Sequence, residues 1–239
     1  MNNIYYNGIQ ENLDGMNTFY PGWTMRLHVD QRKMEKETQE KLCRLQCQDS
    51  RLDLCPVNNL PMFGDISRVM GMTWRFLPLV DPDVDVMVSR DLDSRVTLRE
   101  QAAVNQWISS NLPFHTMRDH PDHQVEIMGG MWGARMDLGQ RKLFSNLTQF
   151  LIDDAGYIGW YRGVDQAVLS RWVWPRVANM TMSHDSYQCK KYVVRNWRPW
   201  PTQRLPGPFN HVGSAGPMEL TAQCPQECRP PDNKDWVLC

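Results

Sequence analysis

Two aspartates, Asp91 and Asp93, follow a run of alternating apolar and polar residues, and Arg90 and Arg95 flank them. Two carboxylates one residue apart on a turn can approach one hard divalent cation and leave positions for water and phosphate oxygens. The same pattern arises often by chance, in loops whose carboxylates meet only solvent and neighbouring arginines. A cation site and a solvated loop therefore both remain open for this stretch.

A second concentration of polar side chains lies in residues 114–136, where the positions of interest are His115, Arg118, Asp119, His120, His123, Gly129, Gly130 and Trp132. A glycine pair permits positive φ angles and a close approach of the backbone to a ligand. An ordinary turn with surface histidines is the alternative.

Two further sites contain residue types that suit a polar ligand. Asp165 and Gln166 stand at the start of a predicted helix, where Asp165 also suits a simple N-cap. His184 and Asp185 follow a predicted strand or loop. Histidines are usually structural or exposed, but one near two aspartates becomes a candidate third metal ligand.

The elements that must position these residues alternate along the chain. Periodicity predicts helices over residues 4–19, 31–46, 66–81 and 97–110, and strands over 24–30, 52–57, 83–89 and 113–119. Thr97 and Glu100 form a capping box at the start of the last helix. This order predicts an α/β domain with a mostly parallel sheet. Ligands of such sheets bind at the carboxyl ends of strands, which is where Asp91 and Asp93 lie.

Composition narrows the class of protein. The 239 residues are 41% apolar and 22% charged, with a formal net charge of −1. This balance indicates a globular chain and gives no basic footprint for nucleic acid. No stretch of 18 apolar residues occurs, so we expect membrane attachment only through a segment outside this sequence.

The cysteines suggest an oxidising compartment. Six of the seven fall into two clusters, and neither cluster has the spacing of a zinc ribbon; the seven are Cys43, Cys47, Cys55, Cys189, Cys224, Cys228 and Cys239. We expect the last three to form disulfides, among themselves or with the others, and the odd number to leave a thiol over. Two N-glycosylation sequons, at Asn146 and Asn179, also fit a glycoprotein of the secretory pathway, in the Golgi lumen or outside the cell.

The chain changes character near residue 196. From there it is rich in Pro and Gly and lacks helical or strand periodicity. The sequence therefore predicts a domain over residues 1–195 and an irregular, Cys-bearing extension over residues 196–239 that packs on it.

Five segments together resemble an uncharacterised glycosyltransferase-like family of the GT-A, or nucleotide-diphospho-sugar transferase, superfamily; in chain order they are "SRDLDSR", "MRDHPDHQVEIMGGMWGARM", "GVDQAVL", "HDSYQC" and "PWPTQR". The resemblance implies a Rossmann-like nucleotide-binding half followed by an acceptor half. It also implies an opening strand that this sequence lacks, unless residues 4–6 supply a short remnant.

The resemblance implies a role for each candidate residue. Asp91 and Asp93, with His184, would bind Mn²⁺ or Mg²⁺ and the diphosphate of a nucleotide-sugar donor. The substrate-binding residues would be Arg90, Asp91, Arg95, Arg118, His120, Gly129, Gly130, Trp132 and Gln166. Asp119 and Asp165 are the candidate general bases if the transfer to a glycan or other acceptor inverts configuration.

Two other classes of function stay open. An inactive nucleotide- or carbohydrate-binding pseudoenzyme is favoured by the missing strand. A metal-dependent hydrolase built on Asp91, Asp93, His120 and His184 is disfavoured, because the sequence has no HxH or HExxH pair to hold a catalytic metal.

Overall fold

A computed structural model describes residues 3–153, 161–192 and 195–239 of the chain. The strands are β1 (Met25–Val29), β2 (Leu52–Pro56), β3 (Val86–Arg90), β4 (Phe114–Arg118), β5 (Met131–Arg135), β6 (Thr181–Asp185) and β7 (Asn196–Arg198). The α-helices are α1 (Asn3–Phe19), α2 (Lys36–Gln48), α3 (Leu98–Ile108), α4 (Arg141–Asp153), α5 (Val164–Val168) and α6 (Trp174–Val177). A 3-10 helix spans Gly71–Leu79.

The main sheet has five strands in the order β3–β5–β4–β6–β7. Strand β5 is antiparallel to both of its neighbours, whereas β4, β6 and β7 pair in parallel. The predicted α/β domain with a mostly parallel sheet is therefore confirmed. Because β3, β4 and β6 point the same way, their carboxyl ends share one edge of the sheet, and the start of β5 lies at that edge too.

Strands β1 and β2 form a separate parallel sheet. Its β1 edge and the β3 edge of the main sheet both line one open groove. The predicted strand remnant at residues 4–6 is wrong, since these residues lie within α1. The described chain thus places no strand between β1 and β3.

Helices cover both faces of the main sheet. On one face, Trp107 and Val104 of α3 and Met16 of α1 pack on Met117 and Met182. The other face carries Phe114 and Trp132 against α4, α5 and the 3-10 helix. A strand buried on both faces has no alternation of apolar and polar residues. That explains why β5 was missed from the sequence.

The predicted helix over residues 66–81 is shorter and tighter than expected. Only Gly71–Leu79 is helical, and it is a 3-10 helix with Pro78 inside it. Pro lacks the N–H of a regular α-helical turn and glycine is a poor helix former, so the segment follows a tighter, irregular path. Among the described residues, no helix has the length and apolar character to cross a membrane.

The tail from residue 196 is irregular, as predicted, but it begins with strand β7, which the sequence analysis missed. Strand β7 pairs in parallel with β6 and so extends the main sheet. Beyond it, Trp200 and Arg204 are buried against the domain. Two disulfides, Cys189–Cys228 and Cys224–Cys239, fasten this region. The predicted involvement of the last three cysteines is confirmed, and the thiols left over are Cys43, Cys47 and Cys55.

We expect each disulfide to contribute to stability. Replacing both cysteines of either bridge by serine should lower the free energy of unfolding by about 2–4 kcal/mol, because the unfolded chain gains freedom. The matched control is the double change Cys43→Ser and Cys47→Ser on the exposed side of α2, which should cost less than about 0.5 kcal/mol. Urea denaturation measures both. The pairing would be contradicted if the disulfide variants and the control lost equal free energy of unfolding. Alkylation of more than three thiols in unreduced protein would also contradict it.

Candidate functional site

The turn after β3 carries Asp91 and Asp93 at the sheet edge. Asp91 is half-exposed and Asp93 is partly buried, and both line the groove between β1 and β3. Asn12 of α1 holds this turn, because its side chain donates to Ser94 O at 2.9 Å and accepts from Val96 N at 3.0 Å. The position of the two carboxylates is therefore set by α1 as well as by the strand.

The glycine pair lies directly beside these carboxylates. A Cβ atom on Gly130 would overlap the Asp91 carboxylate, and one on Gly129 would overlap Asp165. Neither glycine has a positive φ angle. These positions therefore require glycine for close approach rather than for an unusual backbone conformation.

Three side chains hold Gly129 in place. Its carbonyl accepts from Ser89 Oγ at 2.9 Å and from Trp132 Nε1 at 3.0 Å. Its N–H donates to Gln166 Oε1 at 3.1 Å, while Gln166 Nε2 donates to Ile127 O at 2.6 Å. Trp132 is buried in the core and Gln166 is engaged with backbone, so both support the glycine pair from behind and do not face the groove.

Arg75 links the two carboxylates, and nothing in the spacing of the sequence singled it out. Its Nη2 lies 3.1 Å from Asp91 Oδ1, and its Nε lies 3.3 Å from Asp165 Oδ2. Its Nη1 is buried without a hydrogen-bond partner among the described residues. Arg75 also lines the groove, where its positive charge suits the attraction of an anion.

Asp165 lies at the start of α5, next to Gly129. Burial raises the pKa of Asp165, an effect that the Arg75 guanidinium opposes and the nearby Asp91 carboxylate reinforces. A raised pKa is a property of many general bases, but the Asp165 side chain is only 4% exposed and lies behind Arg75 and Asp91, which line the groove. The general-base role of Asp165 therefore stays a prediction.

Asp119, the other candidate base, is in a different environment. Its oxygens accept from Arg99 Nε and Nη2, both at 2.7 Å, from Ser186 Oγ at 2.7 Å and from Val212 N at 2.9 Å. Burial alone would raise the pKa of Asp119, but the Arg99 guanidinium and these hydrogen bonds hold it below its usual range. A fully buried carboxylate with every lone pair engaged has no access to substrate, so the predicted catalytic role is wrong.

The three arginines expected to bind phosphate are already paired. Arg118 is buried and donates to Asp185 at 2.6 Å. Arg90 lies 2.9 Å from Glu100, whose side chain therefore does not complete the predicted capping box. Arg95 pairs with Glu11 of α1. These contacts stabilise the turn and the strand ends, and among the described residues Arg75 and Arg162 are further arginines that line the groove.

His184 lies on the opposite face of the sheet, beneath α3. Its Nδ1 lies 2.7 Å from His115 Nε2, and its Nε2 lies 2.7 Å from Gln106 Oε1. Burial lowers the pKa of His184 to about 3. Both ring nitrogens are occupied in the core, so the structure does not place His184 with Asp91 and Asp93.

His120 belongs to a cluster of three histidines. Its ring centroid lies 5.5 Å from that of His123 and 5.1 Å from that of His211 in the tail. Its Nδ1 accepts from Asp122 N at 3.1 Å. The cluster thus joins the 119–123 loop to the tail, which is a contact that the sequence did not indicate.

The donor set at the groove suits one kind of metal ion. In the described part of the chain, no group of three His, Cys, Asp or Glu side chains is arranged so that it could hold a metal ion. A cage made entirely of protein ligands is therefore absent there. Mg²⁺ commonly binds through one or two carboxylates and takes its other ligands from water and substrate phosphates. Asp91 and Asp93, open to the groove, fit an ion bound in that way.

The ion pair between Asp119 and Arg99 should make a large contribution to the free energy of unfolding, and this contribution should be lost at low pH. Asp119→Asn should lower the free energy of unfolding by about 3–5 kcal/mol at pH 7, because it leaves Arg99 buried without its counter-ion. Since the folded-state pKa of Asp119 is lowered, its contribution is present at neutral pH and disappears as the pH falls below about 4. Urea denaturation at pH 7 and pH 3 measures this.

The control is Asp122→Asn in the same loop, where the side chain is exposed and the expected change is below about 0.5 kcal/mol. Equal stability of Asp119→Asn and wild type at pH 7 would show that Asp119 is not a structural anchor.

Comparison with known proteins adds little to this geometry. No protein-family model matches the sequence, and no curated protein matches it. Among solved structures, the chain is similar to a crystal structure of a glycosyltransferase involved in the glycosylation of the major capsid of PBCV-1. The two are 14% identical over 70% of this chain and 85% of that chain, with a TM-score of 0.40. Similarity at this level supports no inference about function.

Proposed function

We propose that the protein is a metal-dependent glycosyltransferase of the GT-A type, which transfers a sugar from a nucleotide-sugar donor to a glycan or other acceptor. The observation that carries the proposal is the convergence of three separate segments at one sheet edge. Asp91 follows β3, Gly129 and Gly130 precede β5, and Asp165 begins α5. Asp91 and Arg75 line the open groove, and Gly129, Gly130 and Asp165 pack against them at the carboxyl ends of parallel strands.

Asp91 and Asp93 would hold Mn²⁺ or Mg²⁺. When bound, such an ion neutralises charge on the diphosphate leaving group. Arg75 lines the groove and would supply a fixed positive charge that attracts the diphosphate. Because Gly129 and Gly130 have no Cβ, the carboxylates of Asp165 and Asp91 can pack directly against the backbone there.

Asp165 would act on the acceptor. Its raised pKa suits removal of a proton from an acceptor hydroxyl, which an inverting transfer requires. Arg75 orients the Asp165 carboxylate through the 3.3 Å contact. Tyr5, Trp23 and Trp74 line the groove, and their flat apolar faces suit a nucleobase or a sugar ring.

A setting in the secretory pathway fits the two disulfides. The proposed partners are a nucleotide-sugar donor and a glycan or other acceptor. The identities of the sugar and of the acceptor are left to experiment.

The metal role is tested by binding. Wild-type protein should bind a nucleoside diphosphate more tightly with Mn²⁺ than with EDTA, when a panel of nucleoside diphosphates and nucleotide sugars is titrated calorimetrically. Asp93→Asn should abolish the difference, because the ion loses a carboxylate. Asp83→Asn is the control. Asp83 lines the same groove but precedes β3, so the length of that strand, roughly 16 Å, separates it from the turn that carries Asp93. Equal Mn²⁺ dependence in Asp93→Asn and wild type would exclude the metal role.

The base is tested by the pH dependence of transfer. Asp165→Asn should lower kcat by about 10²–10⁴-fold and remove the acidic limb of the pH–rate profile. A raised folded-state pKa means that Asp165 reduces stability as the pH rises through that pKa, so Asp165→Asn should be at least as stable as wild type at pH 7. An active variant with an unchanged acidic limb would exclude the base role.

The second candidate, a nucleotide- or carbohydrate-binding protein without turnover, is favoured by the gap between β1 and β3. Donor hydrolysis with Mn²⁺ separates the two. Tight Mn²⁺-dependent binding without hydrolysis or transfer would favour the pseudoenzyme.

A further inference from the structure

Helix α2 carries two exposed thiols on its outer face. The inner face of the helix buries Leu42 and Leu45, which pack in one cluster with Leu54 of β2. Cys43 and Cys47 are both exposed. Because they are four residues apart, they lie one turn apart on the same side of the helix. Cysteine is among the residue types most often buried in folded proteins, so an exposed pair on one helix face is unusual.

The described residues include all seven cysteines, and among them neither thiol of α2 has a partner. Four cysteines form the two disulfides, which leaves Cys55 of β2. Successive residues of a strand point to opposite faces of the sheet. Leu54 packs with α2, whereas Cys55 packs against a different cluster, which contains Val57. The two-stranded sheet therefore separates Cys55 from the thiols of α2.

The two thiols of α2 are also too far apart to pair with each other while the helix is intact. Side chains four residues apart on a helix have Cβ atoms about 5–6 Å apart. A disulfide requires Cβ atoms about 3.5–4.5 Å apart. A disulfide partner for Cys43 or Cys47 must therefore come from another molecule.

The tail indicates the redox conditions that these thiols meet. Disulfides such as Cys189–Cys228 and Cys224–Cys239 persist in oxidising compartments, whereas cytosolic thiols stay reduced. Exchange with a disulfide requires an accessible thiolate, and both thiols of α2 are exposed. Conditions that preserve the tail disulfides would therefore oxidise Cys43 and Cys47.

The spacing of the two thiols suits a second copy of the same helix. In a dimer with twofold symmetry, one surface patch meets the same patch of the other copy. Two α2 helices that run antiparallel, with the axis midway between the thiols, place Cys43 of each copy opposite Cys47 of the other. Both thiols of each copy then have a partner in the same dimer.

The charges beside the thiols favour this antiparallel arrangement. Lys36 and Glu40 are exposed and lie on the same stripe of the helix as the two thiols. In a parallel pair each would face its own counterpart, and like charges repel. In the antiparallel pair Glu40 lies level with Ser50, and Lys36 lies beyond the end of the second helix. None of the described residues of α2 is a large exposed apolar side chain, so we expect little association before the disulfides form.

We propose that the outer face of α2 is a covalent docking site for a second copy of the chain, with two disulfides that each join Cys43 of one copy to Cys47 of the other. The inference does not depend on glycosyl transfer, because it involves neither Asp91 nor Asp165.

Each bond forms by exchange with a low-molecular-weight disulfide such as oxidised glutathione. The thiolate of Cys43 attacks this disulfide and releases one glutathione. The thiolate of Cys47 from the second copy then attacks the Cys43 sulfur and releases the other. For each bond, two protein thiols are oxidised and give up their protons, and one glutathione disulfide is reduced to two thiols.

Oxidation of the purified full chain tests the docking site. With millimolar oxidised glutathione at mildly alkaline pH, at least half of the protein should migrate as a dimer in a denaturing gel without reductant, and as a monomer with it. Trypsin cuts after Arg44, between the two thiols. Mass spectrometry of the isolated dimer should therefore find residues 42–44 joined to residues 45–51.

Single variants test the antiparallel pairing. In Cys43→Ser or Cys47→Ser alone, the remaining thiols of two copies lie on opposite sides of the axis, roughly 6 Å apart along the helix. Each variant should therefore form dimers at least tenfold more slowly than wild type. An equal mixture of the two variants restores one contact between Cys43 and Cys47, and should form dimers at least tenfold faster than either variant alone. Cys55→Ser is the matched control and should form dimers as fast as wild type.

Four results would overturn the proposal. The first is protein that stays monomeric in these conditions, whether unmodified, carrying glutathione or bridged within one helix. The second is a dimer that also forms when both Cys43 and Cys47 are replaced by serine. The third is equal dimer formation by wild type and the single variants, which would exclude the antiparallel pairing. The fourth is loss of the dimer in Cys55→Ser.

Discussion

The buried pair between Arg99 and Asp119 is the interaction on which the organisation of the molecule depends. Arg99 projects from α3, Asp119 follows β4, Ser186 follows β6, and Val212 lies in the tail. Arg99 also donates to the carbonyls of Thr202 and Cys239 and lies over the Trp200 ring. One ion pair therefore joins a helix, the ends of two strands and the irregular tail. Such a pair remains charged inside a protein only when the remaining donors and acceptors are also satisfied, and here they are.

A second buried carboxyl, that of Asp165, lies at the same sheet edge, and its pKa is shifted in the opposite direction. Asp119 is fully hydrogen-bonded and its pKa is lowered, whereas Asp165 has one arginine at 3.3 Å and its pKa is raised by burial. A buried carboxylate whose hydrogen-bonding capacity is fully used stabilises the fold, whereas one with unused capacity remains able to react. The two carboxyls at this edge therefore differ because their electrostatic surroundings differ. The fold is anchored toward β4 and β6, and the carboxyl with the raised pKa lies toward β3 and β5.

The sequence predicted the fold where its patterns are local. The alternation in β1 and β3, the spacing in α1 and the Thr97 cap all correspond to observed elements. The resemblance also assigned Asp91 and the glycine pair to one substrate site, and these residues do lie together. What it could not supply is the pairing of charges over long separations. Arg118, His120 and Asp119 resemble reactive residues when taken alone, and only folding brings Asp185, His211 and Arg99 to them. Arg75 was missed for the same reason, since its two carboxylate partners are 16 and 90 residues away.

The disulfides also determine how the chain would respond to proteolysis. Residues 205–218 lie between the cysteine at 189 and the group at 224–239, and Leu205 and Met218 in that stretch are largely exposed. A single cut there would separate the chain into two pieces that Cys189–Cys228 still holds together covalently. The nicked protein would migrate as one species without reductant and as two with it. Because the tail contributes Val212 and the carbonyl of Cys239 to the Arg99 and Asp119 pair, the loose piece would remain seated on the domain after cleavage.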